Sequence, residues 1–555
     1  MKPSFNIFII ISLLLTFATA AGQSGKLSAI DPIFDEWNHT DTPGGAVGIV
    51  QNGELIFAKG YGMADLEHDV KITSSSVFYI GSVSKQFVTF CILLLEEQGK
   101  LDLDVPIQRY LPDFPEYDAE LTLRHFIHHT SGVRDYLTLM NLQGKSYLDE
   151  VDEEEVYELI KRQKELNFTP GEKYLYSNSC YFMLAMVVEK VSGEPIREFA
   201  DKHVFKPLGM KNTQFYDDNT KLIKNRVFSY RFQGPGKGYA NTIMRFDLVG
   251  SGGVYSTVED LFLWEQNFYQ NKLGKGTQAI IERMHEEGLL NNGKSSGYAF
   301  GLVNGDHKGL KTVSHSGSLA GYRANLLRFP EERFSVIILS NRSDSDPSRK
   351  AYQVADFMLH DRLEEKIITE TNEDVPVIFS LEQIKGNYSV GPGSSVEIGI
   401  SDGKLEVYQP WDKKRYHLKN IRDNIYHSLK DFNRFFEFSD LQNDKTQLLT
   451  IEAGGKFYEY PRKTEIKAVE FDPDDYPGNF YNDEIQSTFS ITHDNDGLKI
   501  QALKDQPRGL IATDTDLFVI KGNLGTIQFY RRRGKIKGFK FDTGRVKNLK
   551  FEKSR

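Results

Sequence analysis

Cysteine is nearly absent from this sequence: Cys91 and Cys180 are the two in a chain of 555 residues. Two thiols exclude a disulfide-stapled scaffold and a Cys-rich zinc domain. Each lies in an apolar helical run, where a cysteine behaves as a small buried hydrophobe. Concentrated charge of one sign is missing as well. The 68 basic and 77 acidic side chains give a net charge of −9, spread thinly along the chain. A general nucleic-acid binder needs a concentrated basic face, so no nucleic-acid partner is expected. The local patch Arg531-Arg532-Arg533 with Lys535 and Lys537 reads as a solvated strand face. Long apolar runs are lacking beyond the N-terminus, so no stable membrane span is expected in the mature chain.

What is present at the N-terminus is a short leader pattern. Lys2 precedes an apolar run from Phe5 to Phe17, followed by Ala18-Thr19-Ala20, a small-residue cleavage signature. Residues 1–22 therefore read as a secretory signal peptide, and the mature protein as secreted or periplasmic.

Residues 23–365 carry mixed helix and strand patterns. Gly45 to Val50 and Leu55 to Ala58 flank Asn52-Gly53, a hairpin signal. Lys85 to Gln98, Glu155 to Glu165, Cys180 to Val191 and Val258 to Gln270 show apolar residues at helical spacing. Strand patterns return at Thr312 to Ser314, Ala324 to Phe329 and Phe334 to Leu339. This order predicts an α+β domain whose one sheet is built from both chain ends. Residues 366–378 read as a linker. Beyond it the chain repeats: Gly386-Asn387-Tyr388 is echoed by Gly478-Asn479-Phe480, and the turn Asp402-Gly403 by Asp496-Gly497. Two small β-barrels, 379–465 and 466–555, are expected. One larger sandwich made from both halves is the competing arrangement.

The chemistry concentrates first at Gly81-Ser82-Val83-Ser84-Lys85, just before an apolar helix. A hydroxyl and an amine three residues apart share one helix face. A desolvated lysine has a lowered pKa and can accept the serine proton. The pattern alone is weak, since Ser401 to Lys404 repeats it in a β-turn. Two further segments sharpen it: Tyr176-Ser177-Asn178 before a helix, and His315-Ser316-Gly317-Ser318 ending a strand. The ordered set S-x-x-K, Y-x-N, H-x-G resembles the penicillin-recognising serine hydrolases. Within them it is most similar to class C β-lactamases, DD-peptidases and their D-aminopeptidase and esterase relatives.

The resemblance implies a β-lactamase-type antiparallel sheet flanked by helices, with an all-helical lobe carrying Ser82, followed by lipocalin-like barrels. It implies Ser82 as nucleophile, and Lys85 and Tyr176 sharing proton transfer, the tyrosine acidified by nearby ammonium groups. The backbone N–H groups of Ser82 and Ser318 would form the oxyanion hole. Asn178, His315, Ser316 and Gly317 would contact substrate. His315 stands where many relatives carry lysine, and a neutral imidazole there resembles the D-aminopeptidases, so robust β-lactam turnover is not expected. The tail matches their arrangement too, in which a barrel loop can narrow the cleft. The expected activity is acyl transfer from a small peptide, amide or ester to Ser82 and then to water, without cofactor or metal. A D-stereospecific peptidase leads. A carboxylesterase or weak β-lactamase shares the same constellation, and a penicillin-type sensor or a binder of cell-wall polymer is the non-enzymatic alternative. A peptidoglycan-derived ligand fits either class.

Elsewhere the motifs dissolve. His125, His128 and His129 have a spacing that can bind zinc, yet no further ligand is evident nearby and a packing role is favoured. His285-Glu286-Glu287 lacks the second histidine of a metalloprotease helix, and Gly391 to Ser395 lacks a P-loop ending. Asp152 to Glu155 suits a helix N-terminus.

Overall fold

A computed structural model of the chain describes residues 29–363, 378–463 and 471–554, apart from 392–393, 410–413, 429–433, 454–455, 503–505 and 523. The expected leader (1–22) and almost all of the expected linker (366–378) lie outside the described residues.

The first body, residues 29–363, is organised by one antiparallel sheet. Its strands are β1 (Gly45–Gln51), β2 (Glu54–Tyr61), β3 (Val303–His307), β4 (Leu310–Leu319), β5 (Tyr322–Phe329) and β6 (Phe334–Ser340), in the order β3-β4-β5-β6-β1-β2. The N-terminal hairpin thus completes a sheet begun by the late strands, as the pattern predicts. Its turn uses Asn52 at φ 52° and Gly53 at φ 86°, the conformation two-residue hairpins require. Both faces are covered, which explains why β6 is buried at every position. Val336 and Ile338 enter a core with Trp37 and Val354, whereas Ile337 and Leu339 enter the main core on the other face.

The principal helices are α1 (Lys85–Glu97), α2 (Tyr136–Leu142), α3 (Glu153–Lys161), α4 (Asn178–Ser192), α5 (Val258–Tyr269) and α6 (Pro347–Met358). Helix α1 contains no Gly or Pro, and every residue from Lys85 through Leu95 is buried. A helix apolar all round belongs in the middle of a lobe, and α1 packs there against α4. Asp152 caps α3 by accepting from Glu155 N–H at 2.7 Å, and the acids that follow suit the helix dipole. Helix α6 packs on β5 and β6, and α5 on β1 and β6. Among the described residues, no helix is long and apolar enough to cross a membrane.

The tail forms two separate eight-stranded units, so the single-sandwich alternative fails. In the first, Gly386 to Pro461, the strands pair in chain order and its ends meet at a single bridge between Tyr388 and Arg462. The second, Gly478 to Lys553, closes fully, with Phe480 paired to Lys553. Each unit can close because alternate side chains fill a private interior: Tyr388, Phe436 and Phe438 in one, Phe480, Phe529 and Phe551 in the other. Asp402-Gly403 forms a two-residue hairpin turn in the first barrel, whereas in the second the turn is Asn495-Asp496 and Gly497 opens the next strand.

Only the second barrel shares a hydrophobic cluster with the first body among the described residues. A buried ion pair secures this contact. Arg134 Nη1 meets Glu484 Oε2 at 2.7 Å, with side chains 0% and 5% exposed. Arg134 also donates to the carbonyls of Lys547 and Asn548 at 3.0 and 3.1 Å, and to Gln163 Oε1 at 3.0 Å. Glu484 accepts in addition from Lys164 N–H at 2.7 Å.

Removing one member of such a pair strands a buried charge. Arg134→Ala should therefore cost about 3–5 kcal/mol, measured as earlier release of the second barrel in denaturant unfolding. The double change Arg134→Ala with Glu484→Ala should recover part of that loss.

Candidate active site

The three motifs converge where α1, α4 and β4 meet. Gly81–Ser84 forms one 3₁₀ turn leading directly into α1, and Ser82 lies on it half-buried. Gly81 has φ 57°, and a Cβ there would stand 2.6 Å from Ser318 N. A Cβ on Gly317 would strike the Ile80 carbonyl. These two glycines let β4 approach the Ser82 turn closely enough for the two backbones to touch. Ser84 locks the turn: its hydroxyl donates to Gly81 O at 2.6 Å and accepts from Val254 N–H at 3.1 Å.

Lys85 lies wholly buried beneath this turn. Its Nζ stands 3.2 Å from Ser82 Oγ, 3.1 Å from Asn178 Oδ1 and 2.5 Å from Ser251 O. Burial holds its pKa well below the ordinary lysine value, and the Arg545 guanidinium pushes the same way against a weaker pull from Asp135. A neutral amine has two N–H donors and one lone pair. The two donors match Asn178 and Ser251, which leaves the lone pair for the Ser82 hydroxyl.

Asn178 is oriented by Asp135 at the start of α2. The carboxylate accepts from Asn178 N–H at 2.7 Å and from Nδ2 at 2.8 Å. Tyr176 places its ring 4.8 Å from Lys85 Nζ, and its buried phenol oxygen has no hydrogen-bond partner among the described residues. The expectation of an acidified tyrosine is corrected here. Burial pushes the phenol above its ordinary value, outweighing the opposing pull of the Ser82 hydroxyl and the Arg545 guanidinium.

His315 lies on β4, facing the cleft, but both of its ring nitrogens are engaged. Nδ1 is 2.7 Å from the Ser316 carbonyl, so it carries the proton, and Nε2 accepts from Tyr298 Oη at 2.9 Å. Burial, reinforced by the nearby Lys85, pushes its pKa down to about 3. His315 is thus a neutral, fully occupied wall of the site. Ser316 supplies the carbonyl that orients it, and Gly317 the close approach to the Ser82 turn.

The cleft holds about 400 Å³ and is lined by Ser82, Tyr176, Asn178, Ser251, His315 and Ser318, among others. Arg545 joins them from the second barrel, on the hairpin between β7 (Lys535–Thr543) and β8 (Val546–Lys553). Its guanidinium lies 4.7 Å from the centroid of the Tyr176 ring. Neither Arg545 nor Asp135 stands in a motif of the sequence. A barrel loop near the cleft could be anticipated from the resemblance, but not which side chain it carries.

The three histidines with zinc-like spacing each meet a protein partner. His125 bonds to Thr122, His128 Nδ1 to the Tyr298 carbonyl at 2.9 Å, and His129 Nδ1 accepts from Ser177 N–H at 3.2 Å. Cys91 and Cys180 are both buried and unpaired. Ser401 and Lys404 face each other across a β-hairpin, far from α-helical geometry.

The Beta-lactamase family model matches residues 30–358, more than half of the chain. The protein belongs to this family. It is a serine hydrolase related to the penicillin-binding proteins. Penicillin-binding protein 4* of Bacillus subtilis (strain 168) is 30% identical over 344 residues, covering 59% of this chain and 75% of that protein. A D-aminopeptidase of Brucella anthropi is 25% identical over 445 residues, 76% of this chain and 83% of the relative. Among solved structures, the octameric penicillin-binding protein homologue from Pyrococcus abyssi has a TM-score of 0.56 at 21% identity. It covers 79% of this chain and 99% of its own, and shows the shared fold.

The buried histidines of this family member carry a pH signature. His315 at about 3 and His128 at about 4 stay neutral in the folded state, whereas an unfolded imidazole titrates near 6.5. Between those values the unfolded chain binds more protons, so stability is full above pH 6.5 and falls as pH drops towards 4. Denaturant unfolding at pH 7 and pH 5 should show this loss, and His128→Gln should flatten it.

Proposed function

We propose that this protein is an exported D-stereospecific peptidase that cleaves short peptides or amides through an acyl-enzyme on Ser82. The observation that carries the catalytic part is the burial of Lys85 with two fixed acceptors and Ser82 within reach. The D-specific part is supported by the D-aminopeptidase relative, whose alignment runs well beyond the catalytic domain. Export is supported by the leader pattern of residues 1–22.

The steps follow from the geometry. The neutral Lys85 amine accepts the Ser82 proton as Oγ attacks the scissile carbonyl. Charge developing on the carbonyl oxygen meets the N–H groups of Ser82 and Ser318, each such donor being worth about 10²–10³ in rate. Tyr176, held protonated by burial, donates to the leaving amine and draws a replacement proton through Lys85. Water then enters along the vacated leaving-group side and hydrolyses the ester. In this reading Lys85 is the resting base and Tyr176 the proton donor, supported by the direction of their shifts and by the Lys85 contacts.

A panel of D- and L-amino-acid amides, D-Ala-D-Ala peptides, p-nitrophenyl esters and nitrocefin tests this reading. D-configured amides or peptides should be cleaved at least about tenfold faster than their L counterparts, and nitrocefin slowly. Ser82→Ala should abolish both turnover and labelling by a fluorophosphonate probe. Labelling that persists at full intensity would place the nucleophile elsewhere, and an L preference would refute the D-specific reading.

The pH profile checks the base. Because Lys85 must be unprotonated to act, kcat/KM should fall as pH drops through its lowered pKa. Lys85→Arg, charged at every pH, should lose about 10³-fold or more.

A further inference from the structure

The cleft has an unusual division of charge. The β4 wall of the cleft is His315, whose pKa is pushed down to about 3 by burial and whose two ring nitrogens are both engaged. Among the described lining residues, Arg545 is the one with a permanent positive charge, and none is a carboxylate. Lys85 is buried below the surface, and burial holds its pKa well below the ordinary lysine value. An anionic group of a substrate therefore finds its single fixed partner on the second barrel.

Arg545 is placed as a recognition group would be. The hairpin is held by its backbone. Asn167 Nδ2 donates to Arg545 O at 3.0 Å, Lys547 N–H donates to Asn167 Oδ1 at 2.7 Å, and Arg134 binds the next two carbonyls. The Arg545 side chain plays no part in these bonds and is 43% exposed. Its nearest carboxylate oxygen, Asp135 Oδ2, is 3.8 Å away, too far for a hydrogen bond. Asp135 is in any case committed to Asn178 and to Thr138, whose N–H and hydroxyl both donate to it at 2.9 Å. The guanidinium fork is thus anchored by packing on the Tyr176 ring, with donors available to a planar anion.

We infer that Arg545 binds the free carboxylate of the leaving residue, so that the second barrel completes the substrate site and selects peptides ending in an unblocked D-amino acid. The side of the scissile bond follows from Tyr176. That ring meets the leaving amine in the mechanism above, and Arg545 lies against the same ring. An α-ammonium in the same place would meet a like charge, so the preferred substrate is acidic at this end. This rests on the peptidase reading and refines it towards carboxypeptidase action.

The test compares N-acetyl-D-Ala-D-Ala with its C-terminal carboxamide, using the full chain and its Arg545→Gln, Arg545→Lys and Arg545→Glu variants. The wild-type protein should prefer the acid in kcat/KM by about 10- to 100-fold, the range of a charge-assisted hydrogen-bond pair. Arg545→Gln should bring the ratio near unity, Arg545→Lys should retain part of the preference, and Arg545→Glu should favour the amide. Because the ratio is taken within one variant, a general loss of activity does not mimic the result. An acid preference that survives in Arg545→Gln, or none in the wild type, would overturn the inference. If neither peptide is cleaved, the peptidase reading fails separately. Inhibition of p-nitrophenyl acetate hydrolysis by N-acetyl-D-alanine against N-acetyl-D-alaninamide then decides the anchor by the same ratio across the same variants.

Discussion

Everything in this site is arranged around a lysine that has lost its water. Lys85 opens α1, wholly buried, and its amine is held by Asn178, the Ser251 carbonyl and the Ser82 hydroxyl. Burying an ammonium without a close counter-ion is costly, and this lowers the pKa of the amine. On that one constraint rests the proposed role of Lys85 as the base for Ser82. The same burial desolvates His315 and lowers its pKa, and the imidazole is clamped between Tyr298 and the Ser316 carbonyl.

The second barrel is part of this electrostatic arrangement. It is docked through Arg134 and Glu484, a pair dry enough that each must be fully hydrogen-bonded to persist. Arg134 neighbours Asp135 in the chain, and Asp135 orients Asn178. The residue that fastens the barrel is thus next to the residue that orients a partner of the catalytic lysine. The hairpin so fixed delivers Arg545, whose charge helps to lower the Lys85 pKa. Barrel docking and the candidate site share a few neighbouring residues, so the second barrel contributes to the lining of the cleft. The first barrel has a core of its own, apart from the catalytic body.

Much of this was legible in local patterns. The Asn52-Gly53 hairpin, the helices from Lys85, Cys180 and Val258, and the late strands are all found within a few residues of their expected places. These segments declare themselves because burial of one face, or of both, imposes a period on the residues. Ser82, Lys85, Tyr176 and Asn178 were legible because spaced motifs record chemistry that tolerates few substitutes. What eluded the pattern were groups acting across long separations: Asp135 on Asn178, Tyr298 on His315, and Arg545 on Tyr176. The acidified tyrosine was misjudged for a related reason. Charge neighbours can be guessed from composition, but the depth of burial that outweighs them cannot.

The sequence by itself determined the family, the candidate nucleophile with its amine and phenol neighbours, and the presence of two β-repeats. Those follow from local period, turn chemistry and fixed motif spacing, which are properties of short stretches of chain. Only the tertiary structure decided that Lys85 is dry, that His315 is occupied, and that the second barrel places a guanidinium in the cleft. A pKa is set by solvent exclusion and by charges from every element packed around the group. Here those elements lie as far apart in the chain as Lys85 and Arg545, and folding alone brings them together.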